Sequence, residues 1–349
     1  MGLPQIIINF KTAGSSAVRR SARGQAVLLE ESTEAAFYSF SALEQADDKG
    51  LSQDCLRLLR LCFLGNPAKV LLYCYPRGEE QAALKRCQAA AEGGWLCAPR
   101  MAAETVTAFV KARRAEGRPL RAVVSSQTGP DCAGIVNLTT QGISVLLDGT
   151  VTAVSTAEYC ARIAGLLAGL SLRESATYYT LPEVTAFTAS EDSAADIAAG
   201  KLILDQGCNG ARIARAVTSL TTLSQSGDSA FQKIKIAEGV DLIRADIRSV
   251  FESEYVGKVL NDYDSKLLLV TAINSYFAGL EGSVLDTGRK NLAAVDFDAQ
   301  KRWLEGRGVD TSVMSDTAIL SANTGSQVFL RANLRFADAM EDLTFEISM

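Results

Sequence analysis

Apolar residues recur along this chain in two alternating rhythms, and the change from one to the other marks its elements. Continuous or period-two runs at 24–29 (GQAVLL), Lys69–Tyr75, Gly94–Cys97, 120–125 and 134–138 read as strands. Between them, residues 51–63, 79–91 and 102–116 repeat apolar positions at helical spacing, as with Leu56, Leu59 and Phe63. Strands separated by single helices predict a parallel or mostly parallel sheet with helices on its faces, over residues 24–180. Residues 145–154 predict a hairpin turning at Asp148-Gly149. The helix at 155–170 follows, rich in Ala and Gly, whose small side chains permit close packing.

From about residue 190 the rhythm changes to an α+β pattern. Residues 201–204 and 212–217 form a candidate hairpin around a Gly-rich turn. Two long helices follow, 240–256 through Val240, Ile243, Ile247, Val250 and Phe251, and 264–280 through Leu268, Val270, Ile273, Phe277 and Leu280. A short helix at 298–306 precedes a strand at 327–336, in which Val328, Leu330, Leu334 and Phe336 alternate with Phe329, Arg331, Asn333 and Arg335. The expected divisions are 1–23, 24–95, 96–190 and 191–349.

The two ends carry amphipathic strands set apart from this body. Ile6, Ile8 and Phe10 share one face of PQIIINF, with Ile7 and Asn9 opposite; Leu343, Phe345 and Ile347 share one face of DLTFEIS at 342–348, with Thr344 and Glu346 opposite. A terminal strand needs a sheet to join, either its own or a neighbour's. The linker at 11–23 lacks large apolar runs and reads as an arm, reaching roughly 40 Å when extended. Its Lys11, Arg19, Arg20 and Arg23, with no acidic residue among residues 1–29, suit an acidic surface of another copy as well as a solvated tail.

Composition narrows the function classes. The chain has 349 residues, 48% of them hydrophobic, enough for two or three domains, and a formal net charge of −5 argues against a nucleic-acid partner. The longest apolar stretch, near 163–172, is about ten residues and too short to cross a bilayer. No secretory signal or transit helix is read at the start. Eight scattered cysteines without a C-x-x-C pair read as small buried hydrophobes of a reducing cytoplasm. The absence of histidine removes Ser-His-Asp and Cys-His pairs and every His-containing zinc site.

No phosphate loop, dinucleotide turn, HExxH or GxSxG element occurs. Asp262, Asp264, Asp296 and Asp298 stand at helix starts, where such doublets are more often caps than cation ligands. Ser265-Lys266 is an unconvincing dyad, since adjacent helical residues diverge. No catalytic residue, metal or cofactor is therefore expected.

The stretches GLPQIIINFKTAGSSAVRRSARG, NGARIARAVTSLTTL, FQKIKIAEGVDLIRADIRSVF and NTGSQVFLRANLRFADAMEDLTFEIS together resemble the sheath proteins of contractile phage tails and phage-tail-like particles, in their short Gram-positive form. The resemblance implies a non-enzymatic subunit polymerising as stacked six-membered rings around an inner tube, which sheath contraction drives through a target envelope. It also implies donation of residues 6–10 and 343–347 to sheets of neighbouring subunits, with the edge at 212–217 or at 327–336 as recipient. It implies a middle part, 96–190, that is subtilisin-like in shape only. The implied partners are other sheath subunits, the tube, the baseplate and the tail terminator, with assembly in the bacterial cytoplasm and release on lysis. Tube contact is expected on the helix at 264–280 and its continuation, through Lys266, Arg289 and Lys290. The rivals are a cytosolic α/β enzyme with a regulatory second domain, and a phage baseplate component.

Overall fold

A computed structural model describes residues 24–223 and 228–347. The expected strand at residues 6–10 and the arm cations Lys11, Arg19, Arg20 and Arg23 lie outside the described residues. The chain divides into two compact units, one of residues 24–245 with 339–347 and one of residues 246–338.

The larger unit is built on β1 (Gln25–Glu31), β2 (Ala36–Phe40), β3 (Lys69–Tyr75), β4 (Gly94–Cys97), β5 (Ala122–Ser125), β6 (Ile135–Leu138) and β10 (Lys201–Leu202). They form one seven-stranded sheet in the order β10-β6-β5-β4-β1-β3-β2, parallel except for β2. The strands lack polar alternation because both faces are covered. Ala26, Leu28, Val70, Leu72, Trp95 and Cys97 pack on the side of α1 (Gln53–Phe63) and α4 (Thr156–Gly169). Val27, Leu29, Leu71 and Leu96 pack on the side of α2 (Glu80–Ala91) and α3 (Ala103–Ala115).

The small residues of α4 bring its backbone against α1. A Cβ added at Gly165 would lie 2.0 Å from the Cys62 carbonyl oxygen, and one at Gly65 would lie 2.1 Å from the Gly165 carbonyl carbon. A capping box begins α4: Ser155 accepts from the Glu158 N–H while the Glu158 carboxylate accepts from the Ser155 N–H.

A second, antiparallel sheet comprises β7 (Gln141–Leu147), β8 (Thr150–Ala153) and β9 (Val184–Thr188). Its hairpin turns at Asp148 (φ 49°) and Gly149 (φ 78°), the left-handed pair that a two-residue turn requires. The hairpin expected at 201–204 and 212–217 is arranged differently. Lys201 and Leu202 extend the parallel sheet beside β6, while β11 (Leu204–Gly207) pairs with β12 (Gly210–Ile213). The larger unit therefore runs past residue 190, through α5 (Ser193–Ala198) and into α6 (Ile234–Val250). Two ion pairs hold α6 to this unit: Arg114 donates to both carboxylate oxygens of Asp241 at 2.7 and 3.0 Å, and the Arg121 guanidinium, stacked on Trp95, pairs with Glu238.

In residues 246–338, a π-helical stretch (Phe251–Tyr255) precedes α7 (Tyr263–Leu280), which packs against the ribbon of β13 (Leu292–Val295) and β14 (Leu330–Asn333). The short helices α8 (Phe297–Glu305) and α9 (Asp316–Ser321) complete it. The strand expected at 327–336 is shorter than its apolar pattern. After Asn333 the chain leaves β13, and the bridge between Phe336 and Leu285 takes over.

Candidate functional site

The crevice beyond the carboxyl ends of parallel strands, at the point where strand order reverses, is where doubly wound folds receive ligands. Here the reversal falls between β1 and β4, and charged side chains of the protein itself fill the crevice. Arg100 Nε donates to the buried Glu30 carboxylate at 3.1 Å, and Arg100 Nη2 to Asp54 at 3.0 Å. Arg57 joins Asp54 to Glu158. Burial pushes the Glu30 carboxyl above its ordinary value despite the Arg100 pairing. The acidic doublets behave as caps: Asp262 accepts from the Ser265 N–H at 2.8 Å, Asp296 accepts from the Ala299 N–H at 3.0 Å, and Asp298 pairs with Arg331 at 3.3 Å. Seven cysteines are buried and Cys208 is exposed.

The expected strand donation would act at strand edges. Of the two expected recipient edges, that at 212–217 is already taken. Tyr178 N–H donates to the Ile213 carbonyl at 2.8 Å, Ile213 N–H to Tyr179 at 3.0 Å, and Leu181 N–H to Ala211 at 2.8 Å, so a returning segment closes β12. The edge at 327–336 differs. The Asp296 N–H to Phe329 carbonyl bond sets the phase of the β13–β14 ladder, and antiparallel alternation then points the N–H and C=O groups of Leu330 and Ala332 away from β13. No strand among the described residues covers that edge. The opposite edge of the ribbon is blocked. The Asn274 carboxamide on α7 accepts from the Ala293 N–H at 2.7 Å and donates to the Ala293 carbonyl at 3.2 Å, imitating a strand. The ribbon thus has one receptive side.

The C-terminal segment is the complementary feature. Its root is fixed on the larger unit by Glu341, whose side chain is 7% exposed. The carboxylate accepts from Thr177 Oγ1 at 2.7 Å and Ser175 Oγ at 2.8 Å, with Arg215 and Lys233 at 3.4 and 3.5 Å, and Arg215 also pairs with Asp342. Burial alone would raise the Glu341 carboxyl, but the Thr177 and Ser175 hydroxyls and the two cations outweigh it and hold it below its ordinary value. Beyond this clamp Leu343, Phe345 and Ile347 are 89%, 76% and 74% exposed. Residues 343–347 form no strand pair among the described residues. Three large apolar side chains are thus left in water beside an anchored root, each worth about 2 kcal/mol on full burial.

The cations expected to face a tube separate. Lys266 is 2% exposed, and its ammonium lies 3.3–3.4 Å from Gln300 Oε1, the Ala322 carbonyl and Thr324 Oγ1, so it is an interior group and not a surface contact. Burial lowers its pKa. Arg289 and Lys290 are exposed, and they line an open basin with residues of β14 and its extension.

Comparison with known proteins gives a consistent result. Residues 226–349 match the phage tail sheath C-terminal domain family. Over 366 aligned positions the chain is 32% identical to a tail sheath protein of Clostridium phage phiCD119, covering 100% of this chain and 99% of that one. Among solved structures it is similar in fold to the sheath tail protein of Listeria innocua (TM-score 0.66, 17% identity, 85% of this chain and 94% of that chain). It is also similar to the anti-feeding prophage helical sheath in its contracted state (TM-score 0.65, 12% identity, 94% and 93%).

Proposed function

This chain belongs to the phage tail sheath proteins, structural subunits and not enzymes, and on that premise we propose that it polymerises as stacked six-membered rings around an inner tail tube and contracts to drive the tube through an envelope. The observation that carries the reading is the pairing of opposites in one chain: an anchored segment with exposed Leu343, Phe345 and Ile347, and a ribbon with one receptive edge at Leu330 and Ala332. A chain that donates at one place and accepts at another makes heterologous contacts, which propagate when they do not close. Residues 343–347 are donated to the edge of β14 in a neighbouring subunit. Residues 6–10 are donated as well, carried on the arm with Lys11, Arg19, Arg20 and Arg23, and both links persist while the bodies rotate as rigid units during contraction. The blocked edge at β12 favours β14 as recipient over the alternative at 212–217.

The inner tube, the baseplate and the tail terminator are the further partners, with assembly in the bacterial cytoplasm before lysis. The work of contraction is stored in the extended polymer during assembly. Any subtilisin-like aspect of residues 96–190 concerns shape alone.

Negative-stain electron microscopy of the full-length chain with inner tubes as template, beside deletions of residues 343–349 and of residues 1–12, tests this. The full chain should form long tubular sheaths, and each deletion should remain as small particles with an unchanged melting temperature. Sheaths of normal length from both deletions would refute strand donation.

A further inference from the structure

Arg289 and Lys290 lie beside the receptive strand. They line an open basin of about 880 Å³ together with Ala332, Asn333, Leu334 and Arg335. The other cations of the ribbon are neutralised within their own subunit, Arg335 by Asp286 at 3.0 Å and Arg331 by Asp298 at 3.3 Å. Among the described residues, neither the Arg289 nor the Lys290 side chain has an ion-pair partner. A strand running along β14 to Asn333 therefore comes to a basin that carries two uncompensated positive charges.

The two candidate donors differ in sign. Residues 1–10 contain no acidic residue and are followed by Lys11, so that strand brings no compensating charge. The C-terminal segment brings Glu346, which is exposed and without an ion-pair partner among the described residues, whereas Asp342 is held by Arg215 of its own subunit. Register supplies the reason for such a contact. Sliding a donated strand by one residue turns its apolar face outward, but a slip of two keeps Leu343, Phe345 and Ile347 on the same face. Backbone bonds and apolar burial discriminate poorly between such registers, while a two-residue slip moves Glu346 by about 6.8 Å relative to fixed cations.

Resting on the strand-donation reading, we propose that the β14 edge receives the C-terminal segment of a second copy, with Glu346 meeting Arg289 and Lys290, and that this charge contact selects donor and register. The basic pair then serves the contact between subunits and not the expected contact with the tube.

The test is a charge exchange in the full-length chain, with the critical concentration for sheath growth measured by sedimentation and electron microscopy, with and without tube template. Arg289→Glu with Lys290→Glu, or Glu346→Lys alone, should raise the critical concentration about tenfold at low salt. All three substitutions mixed in one chain should bring it back to within about twofold of the original, and the differences should shrink in high salt. Unchanged melting temperatures exclude misfolding. Failure of the combined variant to recover on tube template would overturn the proposal, as would normal growth of both single-sided variants. Loss confined to tube-templated growth in the cation variant, with no rescue by Glu346→Lys, would return Arg289 and Lys290 to the tube. Strand donation fails separately if the chain lacking 343–349 grows normally; if that chain does not grow while charge exchange fails to rescue, only the charge contact falls.

Discussion

The seven-stranded sheet and the β13–β14 ribbon face the same physical problem, the unpaired groups at strand edges, and meet it with different devices. The large sheet has helices on both faces, ends at β10 in a strand of two residues, and has an ion-pair network at its ligand crevice. The ribbon closes one edge with Asn274 and leaves the other exposed, beside two cations. An edge that is merely neglected would be open on both sides. One blocked with a side-chain carboxamide and one left free make the ribbon asymmetric, the asymmetry that the proposed strand donation would use. If strands are donated as proposed, the functional groups of this chain lie where backbone hydrogen bonding is incomplete and not where side chains converge.

Breaking the closed region has the largest expected effect. Gly165→Ala forces a methyl group into the Cys62 carbonyl at 2.0 Å, a backbone contact that no rotamer change relieves. It should cost about 3 kcal/mol or more, read as a lower urea midpoint, with assembly lost because the subunit unfolds. Asn274→Ala sharpens the contrast by opening the second edge. Loss of its two bonds to Ala293 should cost about 1–2 kcal/mol. Its distinguishing signature is irregular aggregation seen by light scattering, because the ribbon can then accept strands from either side. Aggregation unchanged from the original chain would mean that Asn274 does not guard the edge.

The smallest effect concerns presentation of the proposed donor segment, residues 343–347. The Glu341 carboxyl is held below its ordinary value in the folded chain, so its contribution is present at neutral pH and is lost as pH falls through that lowered value. Acidification into that range should release residues 339–347, detected as faster amide exchange there. Glu341→Gln should show the faster exchange already at neutral pH and lose the pH dependence. Equal exchange in both chains at all pH values would remove the clamp from the account.

Much of the body was legible because its signals are local. Lys69–Tyr75 and Gly94–Cys97 are bounded as their apolar runs suggest, and the Asp148-Gly149 turn follows from two left-handed residues. β2 was not legible: AFYSF lies between Glu and Ser residues, and its place depends on an antiparallel pairing with β3 some thirty residues away. The split of residues 201–207 between two sheets was hidden for the same reason, since only tertiary pairing shows that the ladder changes partner after Leu202.

The site was half legible. Alternation of Leu343, Phe345 and Ile347 marked an amphipathic segment whose apolar side chains the structure leaves exposed, but nothing in the spacing of Tyr178 to Leu181 shows that it closes β12. Lys266 follows a capping Asp262 and is expected from the resemblance to face a tube, yet its ammonium lies against Gln300 and Thr324, which belong to distant segments. For Arg289 and Lys290, expected from the resemblance at a tube, the local sequence hides their neighbour in space, because β14 is some forty residues further along the chain.

If strand donation operates as proposed, residues 343–347 of another copy cover the open edge of β14 in the assembled sheath. A cryo-electron microscopy reconstruction of the assembled sheath, at a resolution that separates strands, tests it most directly. The expected map shows an added strand hydrogen-bonded to Leu330 and Ala332, traceable to a neighbouring subunit's Glu341 clamp, with Leu343, Phe345 and Ile347 buried. An uncovered β14 edge, or residues 343–347 folded back onto their own subunit, would contradict it.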